Sequence, residues 1–237
     1  MQSDLNNIHI APGLLHSPLI INTVKQLKCQ TLLITDQTVY QYHGKTLEAH
    51  FKRHGLTLKT FTLAPGEQSK SRQMKAQIED HMHMLGMKKD TLIIALGGGV
   101  ISDLSGFVAS TYYRGIPTYY CPTTLLAMID AAIGGKTAIN TPWGKNMIGS
   151  LHPPKEIFID INTLQTLPYE IFQQGFSEGI KHALISDSKY FQWLEENLTH
   201  LNPQHAQNLK TFIHWSCAIK TDMIDKDLIG QNIRNLL

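Results

Sequence analysis

Thr91-Leu92-Ile93-Ile94-Ala95-Leu96-Gly97-Gly98-Gly99-Val100-Ile101-Ser102-Asp103 is the stretch that decides the fold. Its opening run is apolar or β-branched and uncharged, as in a strand buried on both faces of a parallel sheet. The three glycines let the backbone turn sharply and approach a ligand closely. A helix is predicted to start near Ser102 or Asp103, and the free N–H groups of a helix start favour an anion. Strand, glycine turn and helix start together suggest a phosphate or dinucleotide site. The spacing is neither G-x-G-x-x-G nor a P-loop. A tight strand–helix turn that binds nothing is the competing reading.

The polar residues downstream weigh against an empty turn. Arg114-Gly115 precedes a second apolar run, Thr118-Tyr119-Tyr120-Cys121, which ends at Pro122-Thr123-Thr124. Then come Asp130, Gly134-Gly135-Lys136-Thr137, Asn140 and a loop, Gly144-Lys145-Asn146-Met147-Ile148-Gly149. Lysines neutralise phosphate or carboxylate, and asparagines fix hydroxyls. This set of polar groups among glycines suits a small, multiply charged, oxygen-rich substrate.

Outward from that stretch, strands alternate with helices. Cys29–Thr35 reads as a parallel strand ending at Asp36, followed by a helix over about Val39–His54. Leu58–Leu63 is the next strand, Pro65–Lys70 a polar turn, and Lys70–Leu85 a helix. The alternation predicts an α/β fold with a mostly parallel, doubly wound sheet. Asp36 ends a strand where ligands of such sheets bind; it either bonds a ribose or amide, or caps the next helix. Glu67 and Lys70 could simply pair with each other or cap a helix. After Glu156–Asp160 and Pro168 the spacing turns helical throughout, over Tyr169–Ser186, Lys189–Thr199 and Pro203–Asp225. Two domains are expected, an α/β unit over 1–163 and an all-helical one over 164–237.

Composition narrows the class. A net charge of +2 over 237 residues makes no case for nucleic acid or a membrane surface. Cys29, Cys121 and Cys217 are too far apart for a C-x-x-C metal site or a disulfide framework, so reduced cytoplasmic thiols are expected. No run is long enough for a transmembrane helix, and the N-terminus shows no basic-then-apolar signal pattern.

The segments Gly97–Asp103, Thr111–Gly115 (TYYRG), Pro122–Leu126 (PTTLL), Gly134–Thr137 (GGKT) and Gly144–Gly149 (GKNMIG) resemble those of the 3-dehydroquinate synthases. Pro65-Gly66-Glu67-Gln68-Ser69-Lys70 and Glu178-Gly179-Ile180-Lys181 match in the same order, so the resemblance spans nearly the whole chain. It implies conversion of 3-deoxy-D-arabino-heptulosonate 7-phosphate to 3-dehydroquinate and phosphate, the second step of the shikimate pathway, in a cytoplasmic homodimer. NAD would oxidise a secondary alcohol transiently, and zinc, with cobalt as an alternative ion, would polarise it. β-Elimination of phosphate, return of the hydride, ring opening and an aldol closure would complete the reaction.

The resemblance also implies residue roles. The cofactor would lie along Gly98, Gly99, Val100, Ile101, Ser102 and Asp103, with Asp36, the turn from Pro65 to Lys70, Thr123 and Thr124 beside it. Lys136 and Lys145 would sit near cofactor and substrate, and Thr163, Leu164, Gln165 and Thr166 would reach the nucleotide from the domain boundary. Unaided, those two threonines are cap or turn residues. Arg114 and Asn146 would hold substrate phosphate or hydroxyls, Asp130 a hydroxyl and its proton, and Lys181 the substrate carboxylate. Glu178 would be one of three zinc ligands. Without the resemblance, Glu178 and Lys181 are a surface pair three residues apart. The other two ligands would be histidines, which this chain does not reach before ending at Arg234-Asn235-Leu236-Leu237. The chain is therefore expected to lack about the last third of the family's length. Another sugar-phosphate cyclase, such as a 2-deoxy-scyllo-inosose synthase, and an inactive NAD-binding fragment are the alternatives.

Overall fold

A computed structural model describes residues 5–186 and 188–227 of the chain; residues 234–237, noted above, lie outside them. Six strands form one parallel sheet: β1 (Ile8–Ala11), β2 (Gln30–Asp36), β3 (Leu58–Leu63), β4 (Thr91–Gly97), β5 (Thr118–Pro122) and β8 (Glu156–Asp160). Their spatial order is β1-β8-β5-β4-β2-β3. The chain therefore builds outward on both sides of β4 and β5, which is the doubly wound arrangement the alternation predicts.

The core follows from the period of two along the strands. Leu32, Ile34, Ile93, Ala95, Tyr120 and Ile157 point to one face, with Leu104 and Val108 of α5 (Gly99–Thr111). Leu33, Leu92, Ile94, Leu96, Tyr119 and Phe158 point to the other. There they meet Ile20, Ile21 and Val24 of α1 (Pro18–Leu27) and Leu47 and Phe51 of α3 (Lys45–Arg53). Every residue of β4 is buried, as its unbroken apolar run requires. The β8 end is tied down by Asp160, whose carboxylate accepts from the N–H groups of Gly13 at 2.7 Å, Leu15 at 3.0 Å and Asn162 at 3.0 Å.

Two local expectations change. The α5 helix begins at Gly99, not near Ser102, because Gly98 alone makes the turn in extended conformation. The helix predicted over 39–54 is present from Gln37 to Arg53, where α2 (Gln37–Val39) runs through a π-turn (Tyr40–Gly44) into α3 without a break. Gly144–Gly149 is not a loop. It lies in β7 (Gly144–Leu151), paired antiparallel with β6 (Lys136–Thr141) in a separate hairpin. The alternation of small and polar residues concealed that strand. Gly149 allows the close pairing, since a Cβ there would collide with the Thr137 carbonyl.

Beyond a 3₁₀ turn at Ile161–Thr166 the described chain is helical: α6 (Tyr169–Ser186), α7 (Ser188–Asn197) and α8 (Ala206–Lys226). Helix α4 (Arg72–Met84) flanks the sheet on the side of α5. Glycines on α6 allow close helix packing. A Cβ at Gly175 would lie 2.6 Å from Leu125, and one at Gly179 would strike the Phe212 ring.

Candidate functional site

A cavity of about 790 Å³ opens at the carboxyl ends of β2, β3, β4 and β5. Asp36, Leu63, Gly98 and Thr123, each at or just past a strand end, line it. That is where ligands of open α/β sheets bind, and the volume lies in the range of small-molecule and cofactor sites. Pro65, Gly66, Glu67, Lys70, Gly99, Val100, Ile101, Asp103, Thr124, Lys145, Asn146 and Thr166 complete much of its wall. A second cavity of about 500 Å³ lies beside it, lined by Asp130, Lys136, Thr137 and Lys220 among others. Asp103 and Asn146 line both, so the two cavities share a wall.

The glycine turn forms the floor. Gly97 must lack a Cβ, because one would lie 2.5 Å from the Ile101 side chain. Gly98 is the N-cap of α5 and has no side chain to satisfy the first N–H groups of the helix. Those groups and the positive end of the helix dipole are left for an anionic ligand. Asp36 caps α2 and stands on the cavity wall as well. Its carboxylate accepts from the Val39 N–H at 2.9 Å, and its side chain still borders the cavity.

At the shared wall Lys70 is nearly buried. Its Nζ donates to Asp103 Oδ2 at 2.5 Å and to the side-chain oxygen of Asn146. Glu67 does not pair with Lys70; its carboxylate accepts from Asn140 Nδ2 at 2.6 Å. Burial pushes the Asp103 carboxyl above its ordinary range, and the charge and hydrogen bond of Lys70 pull it back. In the second cavity Lys220 Nζ donates to Asp130 Oδ1 at 2.5 Å. Lys220 escaped the sequence reading, yet it carries a signal. Ser216, Cys217, Ile219, Met223 and Ile224 mark the buried face of α8, and a lysine on that stripe needs a partner. His43 was missed as well. Its Nε2 lies 2.8 Å from Thr166 Oγ1 across the rim of the first cavity.

Other expected residues stand apart from the cavity walls. Ser102 is buried behind the turn, its hydroxyl 3.4 Å from the Gly98 carbonyl. Ser69 holds the 65–70 turn through Ala64 O at 2.6 Å, and Gln68 faces outward beside it. Thr163 donates to Asp160 O at 2.8 Å, Leu164 is in the core, and Gln165 is exposed. Arg114 is exposed, three residues past the end of α5. The thirteen-residue helix, rising about 1.5 Å per residue, puts it roughly 20 Å from the glycine turn.

Glu178 and Lys181 do lie together on α6, 3.5 Å apart. His182 Nε2 is 3.4 Å from the same carboxylate oxygen. The His182 ring is wholly buried, with neither nitrogen hydrogen-bonded, and burial with the nearby Lys220 charge pushes it down to about 4. One carboxylate and one imidazole are short of the four donors a zinc ion takes. Among the described residues no group of three metal-ligating side chains converges.

Two family models match the chain in succession, the 3-dehydroquinate synthase N-terminal model over residues 60–174 and the C-terminal model over 175–237. The chain belongs to the 3-dehydroquinate synthase family. Relatives in this enzyme family include the 3-dehydroquinate synthase of Idiomarina loihiensis, 43% identical over 212 residues. The match covers 90% of this chain and 59% of that protein. The 3-dehydroquinate synthase of Caulobacter vibrioides is 38% identical, with 93% and 60% covered. The chain thus spans about 60% of the length of these relatives. Among solved structures, the 2-epi-5-epi-valiolone synthase of Streptomyces hygroscopicus, with NAD+ and Zn2+ bound, superposes with a TM-score of 0.88 at 28% identity over 97% of this chain and 64% of its own. A 2-deoxy-scyllo-inosose synthase complexed with carbaglucose-6-phosphate, NAD+ and Co2+ shares the fold, with a TM-score of 0.83 at 24% identity, covering 97% and 63%.

Proposed function

We propose that these residues serve the synthase reaction itself: conversion of 3-deoxy-D-arabino-heptulosonate 7-phosphate to 3-dehydroquinate and phosphate, in the shikimate pathway. The observation that carries this reading is the shared wall. A cavity built on a glycine turn and helix start adjoins one lined by Lys136, Asn146 and the Asp130–Lys220 pair. A dinucleotide in the first would place its reactive end against a phosphorylated sugar acid in the second.

The fit of NAD rests on this chain's own geometry: the uncapped α5 start, Gly98 and Gly99 on the cavity wall and the acid at the end of β2. Bound NAD supplies reversible acceptance of a hydride. Asp36 would hold a ribose hydroxyl, and the first turn of α5 the diphosphate. Lys136 and Asn146 would neutralise and orient the substrate phosphate, with Lys220 beside them. Asp130 would accept a proton from a substrate hydroxyl while Lys220 holds its carboxylate in place. The metal that the family resemblance implies would need donors besides Glu178. A homodimer and a cytoplasmic location, which suits three unpaired cysteines, complete the reading.

Calorimetric titration with NAD+ and an assay of phosphate release from 3-deoxy-D-arabino-heptulosonate 7-phosphate, on the protein from its native source supplied with zinc, test it together. NAD+ binding, with phosphate released from this substrate and not from glucose 6-phosphate, is the expected result. Release from glucose 6-phosphate alone would make it another cyclase. NAD+ binding with no turnover of either would leave a cofactor-binding module.

A further inference from the structure

Asn140 borders neither cavity, yet it joins the walls of both. It sits where the β6–β7 pairing slips. Ile139 pairs with Ile148 and Thr141 with Gly144, so Asn140 alone stands opposite three residues of β7, Lys145, Asn146 and Met147. Such bulges re-aim a side chain and recur beside functional sites. The freed residue makes three hydrogen bonds. Its N–H donates to the Lys70 carbonyl at 2.8 Å, its Nδ2 to Glu67 Oε1 at 2.6 Å, and its Oδ1 accepts from the Asn146 N–H at 2.9 Å. A carboxylate on one side and an N–H on the other allow only this orientation of the amide.

Each partner belongs to a cavity wall. Glu67 and Lys70 line the first cavity, and Asn146 lines both. Asn146 is also in the left-handed region, with φ 58°, a conformation asparagine adopts more readily than other non-glycine residues. The Asn140 oxygen holds its N–H there. Lys70 closes the ring by donating to the Asn146 side chain. The turn at 65–70 and the hairpin are therefore one hydrogen-bonded unit.

We propose that Asn140 is a positioning residue that couples the two cavities, so that a nucleotide in the first strengthens binding of a phosphate-bearing ligand in the second, and the reverse. This rests on the cofactor reading above. A ligand that immobilises the 65–70 turn also fixes Asn146 through Asn140, and the second ligand then meets a wall already ordered. The coupling must be reciprocal, with the same factor for each ligand.

The test is calorimetry on the 237-residue chain, titrating NAD+ with and without saturating inorganic phosphate, then phosphate with and without NAD+. In the wild type each ligand is expected to tighten the other by about fivefold or more, the lower end of measured couplings. Asn140→Ala should bring both factors to within about twofold of unity. Asn140→Asp covers the case in which the alanine variant does not fold. It keeps an acceptor for the Asn146 N–H but faces Glu67 with a like charge. Coupling should be lost in it, while hydrogen exchange of the Asn146 amide stays slow. Equal coupling in wild type and variants would overturn the proposal, as would weaker NAD+ binding in phosphate or NAD+ binding without any coupling. Absence of NAD+ binding by the wild type would overturn the cofactor reading and this inference with it.

Discussion

Replacing Lys70 by methionine removes a charge from the wall between the cavities while nearly keeping the side-chain length. Lys70 and Asp103 are 5% and 17% exposed, and their contact is 2.5 Å. Removing one partner of a buried pair costs about 3–5 kcal/mol, because the remaining charge is stranded. The cost depends on pH. Burial, Asp130 and Glu67 all raise the Asp103 carboxyl, and only Lys70 opposes them. In the variant the raising influences stand alone, so the carboxyl takes up a proton on folding. A group raised in the folded state loses stabilisation as pH rises from its unfolded value of 3.8 through its folded one. The deficit should therefore be full at neutral pH and shrink on acidification. Urea unfolding followed by tryptophan fluorescence, at about pH 7 and about pH 4.5, measures both values. A loss below about 1 kcal/mol at neutral pH, or one unchanged by acid, would refute the reasoning, since either shows that Asp103 is not stranded.

Other contacts give further expected outcomes. His182, lowered from 6.5 to about 4, is protonated first in the unfolded chain, so folding should weaken as pH falls between those values. The shift corresponds to about 3 kcal/mol, and in acid titrations of stability His182→Phe should flatten that limb. Gly149→Ala would force a methyl into the Thr137 carbonyl and cost about 3 kcal/mol. Scanning calorimetry should find the melting temperature roughly 6–12 °C lower. Asp160→Ala leaves the N–H groups of Gly13, Leu15 and Asn162 without their acceptor. Chemical denaturation should show a loss of at least about 3 kcal/mol, with NAD+ affinity little changed.

The sequence by itself determined most strands of the parallel sheet, the glycine turn and the sheet class. These depend on runs of neighbouring residues, and β4 is apolar throughout because it is covered on both faces. It also marked Asp36, Glu67, Lys70, Asp103 and Asn146 as polar residues at a site. Pairing was decided only in three dimensions. Lys70 meets Asp103 across 33 positions and Asn146 across 76, while Lys220 meets Asp130 across 90. No local period encodes such separations. The β7 strand was hidden for a related reason, because its register comes from β6 and from the lack of a side chain at Gly149, not from its own hydrophobic pattern. Local chemistry fixed which residues could bind a ligand. The crossing of chain segments at the carboxyl ends of the strands fixed which of them share a wall.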